Sequence, residues 1–133
     1  MKIHFYGAAR RVTGSNYLIE TANDERFILD CGMFQGSKAE EAMNEHPLPY
    51  RPEELAFAIL SHAHIDHSGR LPKLVKDGFR GSIYCTQATS DLAELMLEDS
   101  AGIQESDAEW ENKHLQRRGQ PLIEPLYDKE DVT

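Results

Sequence analysis

Cysteine is scarce in this 133-residue chain: Cys31 and Cys85 are the only two, with no zinc-finger spacing between them. That excludes a disulfide framework and leaves two buried, reduced thiols at strand ends as the expectation for a cytoplasmic protein. Long apolar runs are missing too. No stretch approaches the ~20 residues that a membrane span requires. Met1-Lys2 leads directly into the alternating segment Ile3-His4-Phe5-Tyr6, with no signal-peptide architecture. Positive charge is in short supply, with 14 Lys and Arg against 23 Asp and Glu and a net charge of −9. The deficit is uneven: residues 1–85 hold eleven acids and ten bases, whereas residues 86–133 hold twelve acids and four bases. Phosphate backbones attract Lys and Arg, so the chain by itself is a poor general binder of nucleic acid. Arg10-Arg11, in the first strand–loop turn, could meet a phosphate, but a solvated loop pair is the simpler reading. No internal repeat or low-complexity segment is present, and 40% hydrophobic residues suffice for one modest core.

What the chain does have is a concentration of metal-ligand side chains. His62-Ala63-His64-Ile65-Asp66-His67 places three imidazoles and a carboxylate within six residues. These groups ligate catalytic Zn²⁺ at about 2.0–2.2 Å. A regular helix or strand cannot aim all four at one ion, but a tight loop can split them, two toward one ion and two toward a neighbour. The plain alternative is a polar, His-rich surface turn.

The context favours a ligand site. Ala56-Phe57-Ala58-Ile59-Leu60-Ser61 before the cluster is an apolar run that suits a strand buried on both faces. The segment Ser68–Lys76 after it reads as a helix, with Ser68 as N-cap, Pro72 in the first turn and Gly78 as the stop. The cluster therefore sits at the carboxyl end of a strand, where α/β folds gather their ligands. Upstream, Arg26-Phe27-Ile28-Leu29-Asp30-Cys31-Gly32 is a second apolar strand, ending in a carboxylate. Burying Asp30 is costly unless something compensates its charge; a turn or N-cap aspartate is the alternative.

Further strands are expected at 2–6, 15–21 and 82–86, with 26–30 and 56–61 completing five, and a hairpin turn at Asn23-Asp24-Glu25. A short helix capped by Ser37 covers 37–45 and leads into the proline-rich connection 46–52. From Ala88 to about Arg118 runs one long helical pattern, carried by Leu92, Leu95, Met96, Ile103, Trp110 and Leu115, with Gly102 as the place for a bend. It either covers one face of the sheet, the simpler reading, or docks a partner. His4 is expected to pack in the sheet, His46 to sit in a turn, and His114 to be an ordinary helix residue.

Three runs, Val12-Thr13-Gly14-Ser15, Leu29-Asp30-Cys31-Gly32-Met33-Phe34-Gln35-Gly36 and Ser61–Pro72, resemble the metallo-β-lactamase superfamily, and within it the β-CASP branch of RNA-processing nucleases. The resemblance implies an α/β (α+β) fold, the first half of an αββα metallo-β-lactamase sandwich. It implies two zinc ions, His62 and His64 holding the first and Asp66 and His67 the second. The catalytic residues would be Asp66, which also helps to place the attacking hydroxide, and Asp30, which supports the metal loop from behind. The implied activity is metal-dependent hydrolysis of RNA phosphodiesters, with RNA as the partner of the intact parent protein. A thioesterase or lactamase of the same superfamily is a second reading, and a non-catalytic interaction module a third.

The family completes its site with a histidine in an Ala-Gly-His-type motif, a bridging aspartate and a later histidine that acts as general acid. None of these follows His67 here, where His114 is the one remaining histidine. The last residues, Tyr127–Thr133, read as a helix start capped by Asp128. Residues 1–133 are thus expected to be the N-terminal portion of the domain, a fragment that lacks the remaining half and the β-CASP domain. Alone it should bind zinc weakly and cleave nothing. No membrane association is expected, and a homodimer is compatible with the sequence.

Overall fold

Three short antiparallel strands start the sheet. In the computed structural model, which describes residues 1–132, β1 (Lys2–Phe5) pairs antiparallel with β2 (Tyr17–Glu20), and β2 with β3 (Arg26–Leu29). Asp24, at φ +59, turns the β2–β3 hairpin. The next two strands, β4 (Phe57–Ile59) and β5 (Ser82–Tyr84), pair parallel, which requires crossover connections rather than hairpins. The five-strand order is β1-β2-β3-β4-β5. All five expected strands are present in order, each one to three residues shorter than the apolar pattern.

The β3–β4 crossover carries α1 (Lys38–Ala42), followed by two 3-10 turns, Met43–Glu45 and Pro52–Glu54. Ser37 caps α1 in a reciprocal box: its hydroxyl accepts from the Glu40 amide while the Glu40 carboxylate accepts from the Ser37 amide. The β4–β5 crossover carries α2 (Ile65–Ser68) and α3 (Leu71–Lys76), with Pro72 in the first turn of α3 as expected. Ser68 does not cap that helix. It is the last residue of α2, and its hydroxyl donates back to the carbonyls of Ala63 and His64 at 2.9 and 3.0 Å.

The sheet has two unlike faces. On one, Leu18, Ile28 and Ala58 align across three strands and join Leu60, Leu71, Leu74, Phe79, Ala93 and Leu97 in a helix-covered core. The other carries the rows Phe5-Tyr17-Leu29-Ile59-Tyr84 and Ile3-Ile19-Phe27-Phe57-Ser82. Its edges lie open, with Phe5 65% and Tyr84 60% exposed. β4 is therefore not buried on both faces: Phe57 and Ile59 point to the uncovered side and remain half-buried.

One 31-residue helix, α4 (Gln87–Arg117), runs unbroken through Gly102, so no bend occurs there. It does join the core under the sheet, but of the expected residues only Met96 packs against that core, with Leu115 half-buried. Ala93, Leu97, Ala101 and Ala108 are buried, while Leu92, Leu95, Ile103 and Trp110 are exposed. The small alanines let the helix axis approach closely, a criterion that residue hydrophobicity does not capture. Asp128 caps α5 (Lys129–Val132), its carboxylate accepting from the amides of Glu130 and Asp131. Cys31 is fully buried as expected; Cys85, past the end of the edge strand β5, is exposed instead. No helix among the described residues is long and apolar enough to cross a membrane.

Candidate metal centre at the carboxyl end of the sheet

Asp30 follows β3 directly, in the left-handed region at φ +60, where a non-glycine residue is under strain. Its amide donates to the Ile59 carbonyl on β4 at 2.8 Å, and its own carbonyl accepts from Asn16 Nδ2 at 3.0 Å. The peptide is thus held on both sides, and the carboxylate turns inward. It is only 3% exposed. Buried charge needs donors, and it has them. Oδ1 accepts the Ser61 amide at 2.8 Å, and Oδ2 accepts the Ser61 hydroxyl at 2.8 Å and His67 Nδ1 at 2.7 Å, with the Ser15 hydroxyl further out at 3.4 Å.

That arrangement settles two tautomers. A carboxylate only accepts, so His67 donates from Nδ1, and in the neutral ring this leaves the lone pair on Nε2. The Ser61 hydroxyl spends its proton on Asp30, so its 2.9 Å contact with His62 Nδ1 is received from the ring. The neutral His62 ring therefore also keeps its lone pair on Nε2. One buried aspartate orients two of the three histidines, one directly and one through a serine. Outer partners of this kind fix the ring orientation of metal-ligating histidines.

The loop itself is bound to its neighbours mainly through backbone. Ser15 donates its amide to the Asp66 carbonyl at 2.9 Å, Cys31 to His67 at 2.9 Å and Met33 to Ile65 at 2.9 Å. Gly32 makes this possible: a Cβ there would lie 1.7 Å from the Asp66 carbonyl oxygen. Arg70, buried, caps the same turn, its backbone amide donating to Cys31 and its Nε to the Gly32 carbonyl, with the guanidinium 4.8 Å over the Phe34 ring. Contrary to a pure loop, Ile65–Ser68 closes a single helical turn, so Asp66 and His67 leave the backbone on adjacent positions of α2.

The four cluster residues stay together. The His62 ring centroid lies 4.0 Å from that of His67 and 4.9 Å from that of His64. His64 is exposed, whereas the other three are half-buried. His67 Nε2 stands 3.4 Å from Asp66 Oδ2. Two donors about 2.1 Å from a shared tetrahedral Zn²⁺ lie about 3.4 Å apart, so this pair has the spacing of one edge of such a site. Among the described residues, however, no three His, Cys, Asp or Glu side chains form a set able to hold an ion. The donors fit a divalent metal in kind and orientation, but as part of a cage.

The remaining histidines stay apart from the cluster. His4 contacts Glu20 at 3.2 Å on the sheet, His46 is exposed after the first 3-10 turn, and His114 lies against Trp110 on α4. Ser15, Asn16 and Ser61 are participants that residue-type reasoning did not single out as site residues. Ser61, immediately before His62, carried the clearest signal, since a hydroxyl preceding a ligand run is placed to bridge ring and carboxylate.

A buried carboxylate behind a His-x-His-x-Asp-His turn, at the carboxyl end of a mixed sheet, gives this α/β chain the donors of a partial divalent-metal site. The family model of the metallo-β-lactamase superfamily matches residues 9–130, and the chain belongs to that superfamily. Its relatives include ribonuclease TTHA0252 of Thermus thermophilus, 52% identical over 75% of this chain and 22% of its own length. Transcription termination factor FttA of Methanococcus maripaludis is 32% identical over 80% of this chain and 17% of its own. Probable RNase MJ4 of Methanocaldococcus jannaschii is 32% identical over 86% of this chain and 25% of its own. The chain thus spans a quarter or less of the length of these relatives.

Proposed function

We propose that residues 1–133 are the N-terminal portion of a metallo-β-lactamase domain from a zinc-dependent, β-CASP-type ribonuclease of the cytoplasm. The observation that carries this reading is Asp30 Oδ2 2.7 Å from His67 Nδ1, with His67 Nε2 left beside Asp66. A buried acid that presets imidazole lone pairs is useful to a metal and costly otherwise. The names of the relatives favour RNA over thioesters or lactams. The open aromatic face of the sheet favours a partial domain, since a second sheet packed there would complete an αββα sandwich. Left bare, the same face favours self-association.

In this reading His62 and His64 hold one zinc ion, and Asp66 and His67 a second. Bound zinc would supply Lewis acidity toward a phosphodiester and an activated water. The chain's own part is orientation. Asp30 holds the Nδ1 proton of His67 and, through Ser61, that of His62, so both rings keep their Nε2 lone pairs forward. Gly32 and Ser15 hold the α2 turn against the sheet end, which limits the drift of Asp66.

The test is an assay of the full-length protein on single-stranded RNA, a thioester and a β-lactam. RNA alone should be cut, chelator should abolish cleavage, and His67→Ala should lower the rate by about 100-fold or more. Turnover of thioester or lactam without RNA cleavage refutes the nuclease reading. Elemental analysis of the 133-residue chain should find no stoichiometric, tightly held zinc; finding it refutes the partial cage.

A further inference from the structure

The segment between β1 and β2 is not consumed by the site, yet it is built onto it. At its base, Gly14 lies flat on the Phe34 ring, where a Cβ would come within 2.3 Å, and Phe34 in turn lies under Arg70. The Thr13 hydroxyl donates to the Gln35 carbonyl at 3.1 Å and accepts the Gln35 amide at 3.0 Å. Ser15 reaches the Asp66 carbonyl. These contacts fix the loop to the same end of the sheet as the His62–His67 turn. Ala8 donates to the Thr13 carbonyl and closes the loop on itself.

The tip is strained and open. Ala8 at φ +51 and Arg10 at φ +57 are two non-glycine residues in the left-handed region within three positions. Arg10 and Arg11 are exposed, and Val12 is 90% exposed. Arg11 leans on Met43 Sδ at 3.1 Å, and its charge helps to hold the Glu40 carboxyl below its ordinary range, behind the stronger effect of the Ser37 hydrogen bonds. Arg10 has no hydrogen-bond or ion-pair partner among the described residues. Arg26 pairs with Glu20 and Glu54, Arg51 with Glu53 and Glu54, and Lys73 with Asp77, whereas Arg10 shares its free guanidinium or ammonium state with residues remote from this loop, such as Lys113 on α4. A strained backbone that exposes an unpaired guanidinium, on a loop whose base is bonded to Asp66 and Gln35, has a use in binding phosphate.

We propose that Arg10 is a phosphate-binding residue that grips single-stranded RNA next to the His62–His67 cluster. It rests on the ribonuclease reading above. The acidic flank of α4 repels a polyanion, so a strand that reaches the cluster must find its counter-charge at this end of the sheet, and Arg10 supplies it. The guanidinium fork suits two oxygens of one phosphate, and Val12 beside it offers an apolar surface to a base.

The experiment is fluorescence anisotropy with the full-length protein and a labelled single-stranded RNA, in EDTA to prevent cleavage, over about 50 to 200 mM KCl. Arg10→Ala should weaken binding roughly three- to tenfold and reduce the slope of log Kd against log salt by about 0.7, the share of one phosphate contact. Arg10→Gly should weaken binding equally while the melting temperature holds or rises, because glycine relieves the φ +57 strain; loss of charge is then separated from loss of the loop. Arg10→Lys should recover part of the affinity. Lys113→Ala, a cation on the far half of α4, should leave the slope unchanged. Wild-type affinity and slope in Arg10→Ala, or an equal effect from Lys113→Ala, overturn the proposal while leaving the nuclease reading intact. Failure of the wild-type protein to bind or cut RNA overturns both.

Discussion

The two ends of the architecture are held by different physics. At the carboxyl end of the sheet, the Asp30 network and the α2 turn rest on hydrogen bonds between short polar side chains and backbone, with Gly32 permitting contact that no side chain would allow. Along the flank, α4 rests on apolar burial through Ala93, Leu97, Ala101 and Ala108, with its acids in water. Polar networks of the first kind are intolerant, because each lost partner strands a buried donor. An amphipathic flank tolerates change wherever it faces solvent. The difference teaches where orientation, rather than stability alone, is being maintained.

The largest break should come from Asp30→Ala, which removes the common acceptor of Ser61 and His67. We expect a loss of about 3–5 kcal/mol in denaturant unfolding and, in the full-length protein, a fall of about 10- to 100-fold in metal affinity. Unchanged metal affinity would reduce Asp30 to a structural residue.

A paired experiment sharpens the contrast. Gly32→Ala should cost about 2–3 kcal/mol, since its Cβ would collide with the Asp66 carbonyl and the α2 turn must move. Gly102→Ala, in the middle of α4, meets only Lys129 Cε at 3.4 Å and should stabilise by up to about 1 kcal/mol through helix propensity. The same substitution is expected to have opposite signs at the two ends. Equal signs in urea titrations would show that the ends do not differ in the way described.

The smallest effect lies in the α1 cap. The Glu40 carboxyl is held below its ordinary range, first by hydrogen bonding to the Ser37 amide. A lowered folded-state value means that its contribution is fully present above the usual glutamate range and is lost as pH falls through the lowered value. Glu40→Ala should therefore melt slightly below the wild type at neutral pH, and the gap should close in acid. A gap that persists at low pH would assign it to helix propensity rather than to the ionised cap.

Much of this was legible in the sequence. The positions of the strands along the chain, the β2–β3 hairpin, the Ser37 and Asp128 caps and the length of α4 followed from apolar runs and end signals, which depend on neighbours within a few residues. The errors share one cause. Ser68 reads as a cap but completes α2; Leu92, Leu95 and Trp110 read as core but face water; Cys85 reads as buried but lies past an edge strand. Each depends on which surface arrives from elsewhere in the chain. Ser15 and Asn16 became part of the site only when β2 was laid beside β3.

The sequence by itself determined the kinds of donor available, their order in the chain and the strand-to-turn positions they occupy, because ligand chemistry and local periodicity are properties of residues and their near neighbours. Only the tertiary structure decided that Asp30 turns left-handed into a pocket of Ser61 and His67, that two imidazoles share its direction, and that one face of the sheet stays open. Those outcomes come from hydrogen bonds spanning 31 and 37 residues, and no local pattern encodes which distant partner will fill a buried acceptor.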